Sequence, residues 1–416
     1  MRPVAQGSET PGSFAAAFRD PEWCAALAVI AILGIFLRVH PSGTFGHLGF
    51  DEGLYRSYVD LLTREGLTGY SRVVQSYILK QRELAYSILP PLRFLFIFCS
   101  RLWQLGFGGQ ALDALHRVAR LFSVLTLLVS FLFAFRLGGK ACALAVAALV
   151  ACAPTQIQMA QYAFVDGFFT FWALLTLWLL WECLQKPDDK GLLGLYALSF
   201  ACMVMTKENS FFVFTAVAGI LCLNRWLNFG VATRPLLLAT IAGPLLGVSL
   251  LILLAGGLGN FIETYRLSVT KNLVHPYAIR TGDGPWYRYI AELLLVSPVV
   301  LLLAVGRIFQ LNKSRKEELF LVSFMGCSYL IMANVKYGMN LRYANMWDMP
   351  LRYLAWWQLV SLSAFFGKRR ALLLVLCVVV LCMLELRQYL IIFVQFGLYE
   401  PVDEGLLRAL KIVKGP

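Results

Sequence analysis

Two adjacent carboxylates, Asp51 and Glu52, stand in the stretch Gly49-Phe50-Asp51-Glu52-Gly53-Leu54-Tyr55-Arg56, just after an apolar run over 23–39. In a chain this apolar, acids at the ends of lipid-soluble segments are costly unless they are partnered or put to use. The residues that follow read as a short helix over about 52–64, ended by Gly66. Asp51 then has two compatible roles: a cap on that helix, or a base held at its start and able to take a proton from a hydroxyl. Glu52 reads as a supporting acid, a metal ligand or a solvated first-turn carboxylate, since two adjacent acids can bind Mg²⁺ or Mn²⁺.

Other charges fall at similar edges. Asp166, in Tyr162-Ala163-Phe164-Val165-Asp166-Gly167, is surrounded by apolar residues and needs a partner. Lys207-Glu208 interrupts what is otherwise a continuous apolar hairpin. Lys207 reads either as a lysine snorkelling to the interface or as a cation facing Asp51 or a phosphate. A later loop carries Lys271, His275-Pro276-Tyr277, Arg280 and Gly282-Asp283-Gly284-Pro285-Trp286, groups suited to hydrogen bonding and stacking on a sugar or phosphate, or to an interfacial aromatic belt. Lys336 and Leu341-Arg342-Tyr343 flank the next link, and a guanidinium there can grip phosphate oxygens in pairs. Arg352 lies deeper and needs a partner.

The elements that must position these groups are membrane helices. The chain of 416 residues is 59% hydrophobic and 15% charged, with a mean hydropathy of +0.68. Apolar runs fall at 23–39, 114–135, 141–154, 163–184, 191–206, 208–224, 235–256, 291–308, 319–335, 343–366 and 371–393. Runs of this length predict an all-α polytopic membrane protein with about eleven spans, not a barrel of alternating strands. The basic links Arg136/Lys140, Lys186/Lys190, Arg225/Arg234, Arg307 to Lys316 and 368–370 all fall on one side, which the positive-inside rule makes cytoplasmic, with the N-terminus. This parity holds only if the stretch 86–105, with Pro90-Pro91, Arg93 and Arg101, does not cross. We expect it to lie in the outer interface as an amphipathic helix.

Every oddly placed acid and base then reaches the outer face. The expected organisation is a cytoplasmic tail over 1–22, a transmembrane catalytic module over 23–366, and a last span with a short outer tail over 367–416. The module has outer loops at about 40–113 and 257–290.

The net charge of +13 sits in these links and argues for topology, not for nucleic acid. Ten cysteines occur without a C-x-x-C pair, so neither a metal framework nor a disulfide framework is indicated. No Gly-rich phosphate loop or zinc-type motif is present, so a donor should be approached from the membrane and not as a cytosolic nucleotide.

A first span followed by Phe-Asp-Glu-x-x-Tyr at 50–55, then Pro90-Pro91-Leu92, resembles the GT-C glycosyltransferases, nearest to the protein O-mannosyltransferase and aminoarabinose-transferase branch. Pro154 and its polar link to Asp166, Thr206-Lys207, His275-Pro276-Tyr277, Gly284-Pro285-Trp286 and Leu341-Arg342-Tyr343 follow in family order, so the likeness covers about 22–366. Two positions depart from the pattern. Leu54 stands where a basic residue is frequent, and Leu89 precedes the Pro-Pro-Leu stretch where Lys or His is frequent, leaving Lys80, Arg82 or Arg93 to meet phosphate.

The resemblance implies a polyprenyl-phosphate sugar donor and an acceptor hydroxyl on protein, lipid or glycan. It implies inverting transfer with Asp51 as general base and Glu52 and Asp166 in support. Donor contacts would come from Tyr55, Arg56, Lys207, His275, Tyr277, Arg280, Lys336, Arg342 and Tyr343. It assigns no cofactor with certainty, Mg²⁺ or Mn²⁺ being compatible with the paired acids. The membrane would be a bacterial inner membrane with a periplasmic active face, or the endoplasmic reticulum facing its lumen. Two other functions share these features: a ligase or polymerase using a lipid-diphosphate oligosaccharide, and a lipid or solute transporter. Transporters commonly show internal repeats and midplane sites, and neither is seen here.

Overall fold

The computed structural model describes residues 18–40, 48–400 and 404–409. Among these the regular elements are helices, with no strand. Helix α1, Pro21–Val39, begins where Asp20 accepts from the Trp23 N–H (3.2 Å) and Pro21 occupies the first turn. Three helices that lie outside the long spans, here termed the outer helices, follow: α2 (Phe50–Glu65), α3 (Tyr70–Glu83) and α4 (Phe94–Phe107). Next come α5 (Ala111–Ala151), α6 (Pro154–Gln161), α7 (Val165–Gln185), α8 (Lys190–Val204), α9 (Ser210–Leu227) and α10 (Arg234–Leu254). The later loop holds α11 (Leu258–Asn272) and α12 (Pro276–Thr281). The remainder is α13 (Arg288–Val296), α14 (Pro298–Ile308), α15 (Lys316–Met332), a 3-10 turn at Leu341–Trp347, α16 (Asp348–Ser363), α17 (Arg370–Tyr389) and a short α18 (Glu404–Ala409).

Each of the eleven apolar runs falls on a helix. Six helical stretches are long and apolar enough to cross a membrane by themselves: 21–39, 111–151, 165–185, 210–227, 234–254 and 341–395. Two of these hold two runs each. The stretch 111–151 breaks at Gly139, whose φ of 76° places it in the left-handed region that favours glycine, and 341–395 breaks in the turn before α17. The other three runs, 191–206, 291–308 and 319–335, fall on shorter or interrupted helices, α8, α13 with α14, and α15. Helices of this kind make the chain an integral membrane protein.

The helix expected over 86–105 starts later, at Phe94. Residues 84–93 stay extended or turned, because Pro90-Pro91 supplies no amide hydrogens and biases the preceding residue away from helix. Helix α4 is 14 residues long, about 21 Å at 1.5 Å per residue, which is short of a hydrocarbon core of about 30 Å.

The outer helices form an apolar layer over the bundle. On α2 the buried residues Tyr55, Tyr58, Val59 and Leu62 recur at helical spacing, and α3 repeats the pattern with Tyr70, Val73, Val74, Tyr77 and Ile78. Their tyrosine hydroxyls satisfy the carbonyls of the proline segment: Tyr58 donates to Leu89 O (2.6 Å), Tyr70 to Pro91 O (2.6 Å) and Tyr77 to Ile88 O (3.3 Å). That segment delivers Arg93 to the bundle. At the other end of α7 the basic links interlock: Arg136 pairs with Glu182 (2.7 Å), Lys140 with Asp20 (3.7 Å), and Gln185 donates to Phe229 O (2.7 Å). Asp166 and Glu182 thus mark opposite ends of the most enclosed span, roughly 24 Å apart along the helix.

Candidate functional site

Helix α2 opens at Gly49, and Glu52, not Asp51, completes its cap. The Glu52 Oε2 accepts from Gly49 N (2.8 Å), while Oε1 accepts from Ala163 N (2.8 Å) and meets His116 Nε2 (2.7 Å). Burial alone would raise the Glu52 pKa, but these hydrogen bonds outweigh it and hold the carboxyl below its ordinary range. Glu52 therefore rivets the outer helix to α5 and to the 162–164 link. Asp51 is released from capping, and its Oδ2 lies 3.3 Å from the Arg342 Nη1, with a fifth of the side chain exposed.

Arg342 is the hub. It leaves the 3-10 turn before α16, where Asn340 Oδ1 accepts from its backbone N–H (2.9 Å). Its guanidinium faces Asp51, approaches Asp166 Oδ2 at 4.0 Å, pairs with Glu400 Oε1 at 2.9 Å and lies 4.6 Å from the Phe164 ring centroid. Lys207 is buried and does not snorkel. Its ammonium pairs with Asp166 and sits 3.9 Å from the Tyr343 ring centroid. Burial pushes the Lys207 pKa below its ordinary value, against the pull of Asp166. The partner found for Lys207 is thus Asp166, where the sequence suggested Asp51 or a phosphate.

A third cation, Arg93, donates to the Tyr55 hydroxyl (2.9 Å) and forks onto the Glu208 carboxylate, whose side chain is two-fifths exposed. An apolar cleft of about 440 Å³ opens between α4 and α10. Phe94, next to Arg93 in sequence, and Met205, two residues before Lys207, line it together with Phe98, Leu250 and Leu254; Leu95 N donates to Met205 O (3.0 Å).

Residues 114–263 match the family model described as dolichyl-phosphate-mannose-protein mannosyltransferase. No curated protein matches the sequence. The fold is similar to the crystal structure of ArnT from Cupriavidus metallidurans in the apo state, with TM-score 0.55, 16% identity, and 84% of this chain and 62% of that one covered. The same protein bound to undecaprenyl phosphate gives TM-score 0.53 at 15% identity, covering 83% and 63%. The Archaeoglobus fulgidus oligosaccharyltransferase tethered with an acceptor peptide gives 0.57 at 13%, covering 90% of this chain and 56% of that one. The chain has the GT-C fold. It spans about three-fifths of the length of these structures.

Within the GT-C fold, Asp51, Asp166, Lys207, Arg342 and Tyr343 come together at one end of the bundle, with Glu52 beneath and Tyr55 reaching the cluster through Arg93. Tyr277 lies close to Glu400. His275 caps α12, its Nδ1 accepting from Tyr277 N (3.2 Å), and packs near Tyr86. Arg56, Arg280 and Lys336 are exposed and have no side-chain hydrogen bond or ion pair among the described residues. Arg352 has its partners, Asp348 (2.5 Å) and Glu385, inside the bundle and away from this cluster.

The sequence reading did not single out His116, Tyr399 or Glu400, and it named Glu208 only as the neighbour of Lys207. His116 sits one residue before Arg117, within an ordinary helical pattern. Tyr399 and Glu400 follow the last span, where spacing carries no signal. Among the described residues no group of three metal-ligating side chains occurs. The paired acids do not fit a divalent cation as they stand, because both Glu52 oxygens are engaged and Asp51 faces a guanidinium.

Proposed function

We propose that the chain is a membrane glycosyltransferase moving a sugar from a polyprenyl-phosphate donor to an acceptor hydroxyl, with inversion. The observation that carries this reading is Asp51: a carboxylate freed from capping, partly exposed, and 3.3 Å from a buried guanidinium. A base and an anion-stabilising cation at this separation suit a displacement in which negative charge moves from one side to the other. Asp51 takes the acceptor's hydroxyl proton as that oxygen bonds to the anomeric carbon. The bond from that carbon to the phosphate oxygen breaks, and the electron pair leaves on the phosphate.

Arg342 and Lys207 face the charge that develops, while Asp166 holds both cations in register and Glu52 holds the Asp51 turn. Phosphate is a good leaving group, so no general acid is required. The apolar cleft lined by Phe94 and Met205, close in sequence to Arg93 and Lys207, suits the first isoprene units of a lipid donor. With the basic links on the cytoplasmic side, the site faces outward, to a bacterial periplasm or an organelle lumen. The polar clustering at one end, away from the midplane, favours transfer over transport.

The test is single-turnover transfer by the purified chain in lipid nanodiscs, using a mixture of short-chain polyprenyl-phosphate sugars and envelope or microsomal acceptors, read by mass spectrometry. Wild type should release polyprenyl monophosphate, and Asp51→Asn should bind the lipid but transfer at least about 10²-fold more slowly. An Asp51→Asn protein with full activity removes the general-base assignment. Release of polyprenyl diphosphate instead would identify a lipid-diphosphate ligase, and lipid movement without any product would identify a transporter.

A further inference from the structure

Two buried polar atoms in the site have no partner among the described residues: the Nε of Arg342 and the hydroxyl of Tyr399. Buried donors are nearly always paired in native proteins, so an orphan inside a site marks room for another group. Arg342 turns its Nη1 towards Asp51 and Asp166, and its Nη2 forms an ion pair with Glu400 Oε1 at 2.9 Å. Nε and Nη2 form one edge of a guanidinium, the edge that a phosphate grips side-on with two oxygens. Here a single carboxylate oxygen holds half of that edge. The other oxygen of Glu400 is taken by Asn340 Nδ2 at 3.0 Å.

Glu400 arrives from the segment after the last span. Tyr399 packs at 5.0 Å against both Tyr162 and Phe164, and its carbonyl accepts from Gln158 Nε2. The segment therefore sits on the same link that Glu52 fastens. Around Arg342 and Lys207 stand three carboxylates, Asp51, Asp166 and Glu400. A phosphate added to that set meets repulsion unless one acid withdraws. Asp166 is locked between two cations, and Asp51 is the proposed base. Glu400, which pairs with Arg342 and not with Lys207 and has no part in the proposed proton transfer, is the acid that can exchange for a phosphate.

We propose that Glu400 is a displaceable counter-ion, so that residues 396–400 guard Arg342 until the donor phosphate takes its Nε/Nη2 edge. The C-terminal segment thereby sets the apparent affinity for the donor lipid. This rests on the reading of Arg342 as a phosphate-binding residue. If the guarded state holds about nine molecules in ten, the apparent dissociation constant is raised about tenfold over that of the open site.

The experiment titrates geranylgeranyl phosphate onto the full chain in nanodiscs, for wild type, Glu400→Gln, Arg342→Gln and the double variant. Glu400→Gln should bind about tenfold tighter and Arg342→Gln at least tenfold weaker, and Glu400→Gln should add nothing once Arg342 is gone. In wild type, saturating lipid phosphate should also speed amide exchange over 396–400, a readout that does not depend on any variant folding. Unchanged exchange, or a Glu400→Gln affinity no better than wild type while wild type binds, overturns the counter-ion and leaves the donor reading standing. Absence of binding in all four proteins overturns the donor reading and the counter-ion with it.

Discussion

Replacing Glu52 by glutamine keeps the shape of the side chain and removes the charge that three donors share. With the group 3% exposed, the expected loss is about 2 kcal/mol of stability. The sign of its pH dependence follows from the depressed pKa. Glu52 stabilises the fold fully above its ordinary value of 4.5, and that contribution is lost as pH falls further, through the depressed folded value. Thermal unfolding in detergent from pH 7 to about pH 3 should therefore show wild type losing its margin over Glu52→Gln only at the acid end. A margin constant across the range would mean that the carboxylate is not what holds the turn.

Asp51→Asn should behave in the opposite way, with little change in stability, within about 1 kcal/mol for one long ion pair, and loss of transfer. Since both Glu52 oxygens are engaged, transfer should also survive EDTA. Chelator-sensitive activity restored by Mg²⁺ or Mn²⁺ would show that the acids rearrange around a metal.

At the scale of elements, the outer helices are held by close approach as much as by burial. A Cβ built on Gly49 would stand 2.3 Å from the Tyr399 hydroxyl and 2.5 Å from its ring, so this glycine lets the C-terminal segment lie on the start of α2. Four residues on, a Cβ at Gly53 would meet only Leu48 Cδ2 at 3.5 Å, an ordinary contact. The pair makes a test. Gly53→Ala, inside a helix, should be neutral or stabilise by up to about 1 kcal/mol. Gly49→Ala should displace the 396–400 segment and make it more susceptible to protease. Equal protection in the two variants would separate the segment from the helix start.

On the whole molecule, a second charged network lies between the site and the basic face. Arg352, fully buried, binds Asp348 (2.5 Å), Glu385 and the Leu149 carbonyl (3.0 Å). Arg38, also fully buried, donates to Val150 O (3.0 Å) and Ala151 O (3.1 Å), the carbonyls that end α5. These cations tie α1, α5, α16 and α17 together at a depth where an unpaired charge is expensive. Arg352→Leu leaves Asp348 and Glu385 uncompensated and should cost about 3–5 kcal/mol. The fraction that folds should keep its donor KM, because the network touches none of the groups around Asp51. Melting temperature and KM measured on the same preparation check both halves, and a shifted KM would join the network to the site.

The apolar runs by themselves determined where the helices lie, because the cost of exposing apolar surface and backbone polar groups in lipid acts on each segment separately. The same cost made Asp166 and Arg352 visible as charges that needed partners. The choice of partner was decided only by tertiary structure. Asp51 meets Arg342 across 291 positions, Lys207 answers Asp166 and not Asp51, and Arg352 turns inward to Asp348 and Glu385. The cap of α2 illustrates the limit: Asp51 and Glu52 are equivalent in local pattern, and what separates them is that Ala163 and His116 pack over one and Arg342 over the other. Glu400 carried no periodic or positional signal, since its role depends on where the last span ends in space. Segment energies are local and can be read along the chain, whereas charge pairing is a property of distances between helices, set only when the bundle closes.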